Sequence, residues 1–143
     1  MSVTKVFGGD ILKLIFTATA IANIADNAAS SPLANLYLSL HYSNPADTGN
    51  QTTGEASYSG YARVAIARSG SGWTVTDNEV VNDGLVAFAQ NPSATDTVRY
   101  IGIGTASSGT GKLLMFTALD DALVLQPGQT PQFSAGDIVF TCV

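Results

Sequence analysis

From Leu36 to the C-terminus the chain is a succession of short apolar runs cut by turn-forming clusters, and this rhythm restricts the fold more than any other feature. The runs are Leu36–Tyr42, Tyr61–Arg68, Trp73–Val75, Val80–Asn82, Leu85–Ala89, Val98–Thr105, Leu113–Leu119, Ala122–Leu125 and Ile138–Val143. Between them stand Ser69-Gly70-Ser71-Gly72, Asn82-Asp83-Gly84, Asn91-Pro92-Ser93, Ser107-Ser108-Gly109-Thr110-Gly111 and Gln126-Pro127-Gly128. Period-two alternation, as in Leu36, Leu38, Leu40 and Tyr42 against Tyr37, Ser39 and His41, reads as a half-buried strand. Helix-length crossovers are missing between the runs, so neighbouring strands pair antiparallel. The expectation is a mainly β chain: an antiparallel β-sandwich, jelly-roll-like, with one N-terminal helix.

That helix is predicted over residues 10–26. Ile11, Leu14, Ile15, Ala18, Ile21, Ala22 and Ala25 recur at steps of three and four, Asp10 follows Gly8-Gly9 as an N-cap, and Asn27 lies near the end. Residues 1–9 precede it as an arm, apolar at Val3, Val6 and Phe7 and too short to fold alone. Residues 10–143 then form a single β-sandwich domain, a size that suits one core of ~100–200 residues. The apolar run over residues 11–25 contains Lys13 and falls short of the ~20 residues that span a bilayer, so no membrane is expected as a partner. Asp10 stands where a secretory signal would carry positive charge.

Composition enters through the surface. Charged residues make up 12% of the chain, about half the ~25% usual in soluble domains. A surface of Ser, Thr, Asn, Gly and Ala suits lasting contact with neighbouring subunits, because the centres of interfaces are depleted in charge. The net charge is −5 and the six lysines and arginines are scattered singly, which excludes nucleic acid as an expected partner. Cys142 is the single cysteine, so an internal disulfide framework and a zinc cluster are both excluded.

Chemistry-bearing residues are correspondingly sparse. His41 is the one histidine, on the less apolar face of its strand, and is expected to be a surface or subunit-contact residue. Asp120-Asp121 reads as a tight turn between two strands, since neighbours within a strand face opposite sides. Asp47, Glu55, Asp77, Glu79 and Asp96 lie in expected loops without ligand spacing. "GIGTASSGTGK" fails the phosphate-loop pattern, because Leu113 follows Lys112 and no long helix comes next. The expectation is a chain that is not an enzyme and holds no metal or cofactor.

Contact residues are better represented. In "SYSGYAR", Ser59-Gly60 supplies a bend or bulge, after which Tyr61, Arg63, Ala65 and Ala67 share one face. Tyr and Arg offer large contact areas with polar tips. The candidate subunit interface therefore comprises Val3, Val6, Phe7, Tyr58, Tyr61 and Arg63, with a cross-strand aromatic pair and an Arg63 ion pair within the chain as structural alternatives. The polar loop over residues 44–55 is a further contact candidate, and Trp73, at a turn, reads either as a sugar platform or as a core plug.

Three stretches, "SGYARVAI", "RYIGIGTASSGTGKLLMFTAL" and "VLQPGQTPQFSAGDIVFT", together resemble small virion proteins of tailed bacteriophages, of the head decoration or tail-fibre-like type. The resemblance implies a non-enzymatic virion structural protein. Its first expectation is a capsid decoration or cementing protein on the capsid exterior, homo-oligomeric, whose partners are the major capsid protein and copies of itself. The alternatives are a tail-fibre or baseplate component and, behind them, a carbohydrate-binding β-sandwich.

Overall fold

The computed structural model describes residues 5–21, 32–93 and 95–143. Along the chain these form α1 (Lys5–Thr17), β1 (Asn35–His41), β2 (Val64–Ala67), β3 (Trp73–Thr76), β4 (Glu79–Asn82), β5 (Val86–Ala87), β6 (Asp96–Gly104), β7 (Leu113–Leu125), β8 (Gln132–Phe133) and β9 (Val139–Thr141). The architecture is mainly β, its registered strand pairs are antiparallel, and it has a single helix among the described residues, the content expected of a β-sandwich. The chain clusters into two compact units, one from Met1–Asn35, Ala67–Leu85 and Ser134–Val143, the other from Leu36–Ile66 and Val86–Phe133.

In the first unit α1 lies against the three-stranded sheet β3-β4-β9. The helix starts earlier and ends earlier than the 10–26 span predicted from periodicity. Gly8-Gly9, expected just before the Asp10 N-cap, sit buried inside it, because the helix passes very close to the β3–β4 turn: a β-carbon on Gly9 would stand 2.1 Å from the carbonyl oxygen of Asp77. The cost of glycine within a helix, about 1 kcal/mol relative to alanine, is outweighed by that approach. Residues 5–9 of the predicted arm are thus helical, while Val3 lies outside the described residues, as does the 22–26 end of the predicted helix.

The buried stripe is also displaced. Leu12 and Phe16 are fully buried, whereas Ile11, Leu14 and Ile15 are only half-buried. Phe16 meets Trp73 edge-on at 4.7 Å and stacks on Phe140 at 6.3 Å, so these three rings form the centre of the unit. The helix ends where Thr17 turns its hydroxyl back onto the Lys13 carbonyl and Ala18 adopts a left-handed backbone (φ 56°). Its last carbonyls find a distant partner, since the Arg68 guanidinium donates to the oxygens of Leu14 and Ile15. At the other end of the unit, the buried Asn82 donates through Nδ2 to the carbonyls of Gly84 and Ser134, at 2.7 and 2.9 Å, and accepts the Ile138 N–H at 2.9 Å.

The second unit carries the four-stranded sheet β2-β1-β6-β7 and the two-stranded ribbon β5-β8. Leu38 and Leu40 of β1 pair with Ile103 and Ile101 of β6, and all four are buried on one face. The opposite face is covered by the loop over residues 44–55, and Ser39 and His41 are fully enclosed. This corrects the expectation that His41 is a surface or subunit-contact residue.

A second correction concerns Asp120-Asp121. The two expected strands around it are one 13-residue strand, β7, and the chain does not reverse there. Val98 pairs with Leu123 and Tyr100 with Ala118, so the four residues from Leu119 to Ala122 bulge out opposite Arg99 alone. The run Tyr61–Arg68 is likewise strand only from Val64, for reasons that lie in the side chains that precede it.

Candidate functional site

Tyr58, Tyr61 and Arg63 converge within the second unit. The Tyr61 N–H closes a turn on the Tyr58 carbonyl at 3.0 Å, and Gly60 takes the positive φ of 84° that this turn requires. The turn delivers Tyr61 and Arg63 onto Glu55, at the end of the long loop. Arg63 grips the carboxylate with two prongs, Nε to Oε1 at 2.6 Å and Nη2 to Oε2 at 2.8 Å, and its side chain is 2% exposed. The remaining guanidinium donors reach the carbonyls of Ala106 and Gly109, at 3.0 and 2.7 Å, so one arginine ties the β6–β7 loop to the loop over residues 44–55. The ion pair that the sequence offered as an alternative for Arg63 is realised, with Glu55 as its acidic partner.

Tyr61 completes the group. Its hydroxyl donates to Glu55 Oε1 and accepts the Leu40 N–H, each at 3.0 Å. Burial first, with the Glu55 carboxylate adding to it, pushes this phenol far above its ordinary range. Tyr58 is buried, donates to the Ala89 carbonyl at 2.8 Å, and is pushed up to about 12, chiefly by desolvation. Tyr58 packs edge-on to Tyr61 at 5.3 Å and Tyr61 stacks on Phe88 at 6.1 Å, the aromatic pairing that was the structural alternative to an interface. Of the candidate contact residues, then, Tyr58 and Arg63 are enclosed, Tyr61 is half-buried, and Val6 and Phe7 on α1 are exposed at 78% and 41%.

The loop over residues 44–55 folds back onto the sheet. His41 and Glu55 form a β-bridge, Tyr42 N–H donates to the Gly54 carbonyl at 2.7 Å, and Ala56 N–H to that of Leu40 at 2.8 Å. Gln51 drops from this loop into the sheet and is fully buried, its Oε1 accepting the Ala106 N–H at 2.9 Å. Room for it exists because Gly104 lacks a side chain: a β-carbon there would stand 2.2 Å from Gln51 Cδ. The alternating glycines of "YIGIG" were the available sequence signal for this close approach.

Beside Gln51, Ser39 Oγ and His41 Nε2 are 2.8 Å apart, the separation of a nucleophile and its base. Both residues are fully buried, however, and His41 Nδ1 donates to the Thr53 carbonyl at 2.9 Å rather than to an orienting carboxylate. The pair joins loop to strand and faces no solvent. Burial holds the His41 pKa below its ordinary value. Trp73 is 1% exposed against Phe16, so it is the core plug of the first unit and offers no sugar platform. Among the described residues no group of three or more His, Cys, Asp or Glu is placed to hold a metal ion, and no helix is long and apolar enough to cross a membrane. A surface cavity of about 230 Å³ lies at the β7 bulge, lined by Arg99, Tyr100, Ala118, Leu119 and Ala122.

Glu55, Tyr61, Arg63, Gln51, Ser39 and His41 are therefore engaged with one another or with the backbone and hold loops to strands. A search of curated proteins gives no match. Residues 15–141 match the family model described as "Podophage GP4 fiber I protein gp80". With that match extending over nearly all of its length, the chain belongs to the podophage GP4 fiber I protein gp80 family and is a bacteriophage virion structural protein.

Proposed function

We propose that this chain is a non-enzymatic structural subunit of a phage tail fibre. The observation that carries the reading is the family match over residues 15–141, whose description is that of a fibre protein. The geometry is in keeping with it, since Arg63, Glu55, Tyr61, Gln51, Ser39 and His41 bond one another or the backbone. The fibre reading replaces capsid decoration as the first choice. A cementing role on the capsid exterior, with the major capsid protein as partner, draws no support from that match.

Immunogold labelling of intact virions with antibody to the purified chain tests the assignment. Label is expected at the tail and not over the head. Label spread over the capsid surface, together with binding of the purified chain to expanded empty capsids at micromolar concentration, would return the decoration reading to first place.

A further inference from the structure

Strand β7 is the outermost strand of the four-stranded sheet, pairing with β6 on one side and, among the described residues, with no strand on the other. It is 13 residues long, and of those residues only Leu125 is buried. Leu113, Leu114, Met115 and Phe116 are consecutive and all half-buried, so apolar side chains are partly open on both faces of the strand. Edge strands that face water are usually short, or are guarded by Lys or Pro. The run from Leu113 to Leu119 contains no charge, proline or glycine, and it offers a row of backbone donors and acceptors to another strand.

The ends of that run identify what is added. Lys112 and Asp120 flank it, both exposed, and neither forms an ion pair within the chain among the described residues. They stand at opposite ends of the run, with the paired stretch from Met115 to Ala118 between them, so they cannot meet in one copy. In a second copy running antiparallel, with Phe116 opposite Phe116, Lys112 of each chain faces Asp120 of the other. Met115 then faces Thr117, a pair formed twice by the symmetry, and the flanking apolar residues of the two runs lie alongside one another. Irregular register at Leu114 and from Leu119 to Ala122 leaves Met115 to Ala118 as the regular centre, and the two charge pairs fix the alignment.

We propose that β7 is a self-association edge, where a second copy of this chain adds antiparallel about a two-fold axis at Phe116. The proposal goes beyond the fibre assignment and does not rest on it. Sedimentation velocity of the full chain is expected to show a concentration-dependent monomer–dimer equilibrium. Lys112→Asp or Asp120→Lys alone puts like charges opposite one another twice and weakens the dimer about tenfold. The two reversals combined restore it, which contacts within one copy cannot do. Circular dichroism spectra matching wild type confirm that each variant is folded. In a Cys142→Ser background, Phe116→Cys is expected to cross-link into dimers on oxidation and Val124→Cys is not. A chain that stays monomeric at every concentration overturns the proposal, as does a dimer indifferent to both reversals. If that indifferent dimer is lost on deleting residues 1–4, the occupant is the N-terminal segment instead.

Discussion

Glu55 and Arg63 are joined by two short hydrogen bonds, at 2.6 and 2.8 Å, in a site where the arginine side chain is 2% exposed and the glutamate 14%. Breaking such a pair from one side leaves the other charge buried and unmatched, at a cost of about 3–5 kcal/mol. Arg63 also holds the carbonyls of Ala106 and Gly109, and Glu55 receives the Tyr61 hydroxyl, so neither residue has a ready substitute. Arg63→Met is expected to lower the unfolding free energy in urea by an amount in that range. Adding Glu55→Leu to Arg63→Met recovers part of the loss, because no lone carboxylate remains. Equal or greater loss in the double variant would contradict this account.

Gln51 and Gly104 form a second coupled pair. A β-carbon at Gly104 would stand 2.2 Å from Gln51 Cδ and 2.5 Å from its Nε2, inside the fully buried site. Gly104→Ala is expected to cost about 1–3 kcal/mol by overpacking. Gln51→Ala costs a similar amount by leaving the Ala106 N–H without its acceptor. The double variant should be clearly more stable than the sum predicts, since the methyl then enters the space that Gln51 vacates. Strict additivity in a denaturation double-mutant cycle would show that the two do not compete for one volume.

His41 gives the chain a pH dependence whose sign is fixed by burial. The Thr53 carbonyl can only accept, so Nδ1 carries the proton, and the bare Nε2 takes the hydrogen of Ser39. Desolvation lowers the folded pKa from 6.5, so below about pH 6.5 the unfolded chain binds the proton first. Stability is therefore fully present above that pH and falls as the pH drops through the window beneath it. Thermal unfolding should give a lower Tm at pH 5.5 than at pH 7.5, and His41→Gln should flatten that difference. An unchanged slope in the variant would assign the effect to other groups.

How much of this was readable beforehand differs from element to element. Leu36, Leu38 and Leu40 announced β1, and Ser59-Gly60 announced its turn, because period-two alternation and a left-handed glycine are local signals. Ser39 and His41 look solvent-facing in the sequence because alternation alone assumes that one face meets water. The loop over residues 44–55 covers that second face, and no local pattern records it. The helix starts earlier than its periodicity indicates for the same reason: Gly8-Gly9 look as if they lie outside it until Asp77 is brought against them. Asp120-Asp121 reads as a turn because an adjacent carboxylate pair interrupts two apolar runs, but a bulge takes the pair out of the ladder without reversing the strand. The edge position of β7 depends on the order of strands in the sheet, which single-strand patterns do not encode.

Asn82 supplies the test in the first unit. Its amide is oriented by its partners: Nδ2 faces the carbonyls of Gly84 and Ser134, at 2.7 and 2.9 Å, and Oδ1 faces the Ile138 N–H at 2.9 Å. Asn82→Asp keeps the shape and the bond to Ile138 but sets a carboxylate oxygen against two carbonyl oxygens. An ionised carboxylate cannot donate to either, so the variant is expected to lose about 1–3 kcal/mol at pH 7. Protonation supplies one donor and removes the charge, so the new carboxyl has a folded pKa raised above its unfolded value of about 3.9. The penalty is then present above the folded pKa and shrinks as the pH falls through it. Urea unfolding of variant and wild type at pH 7 and pH 4.5 measures this directly, and the gap between them should narrow at the lower pH. A gap that widens on acidification would mean that the amide is not held by those two carbonyls.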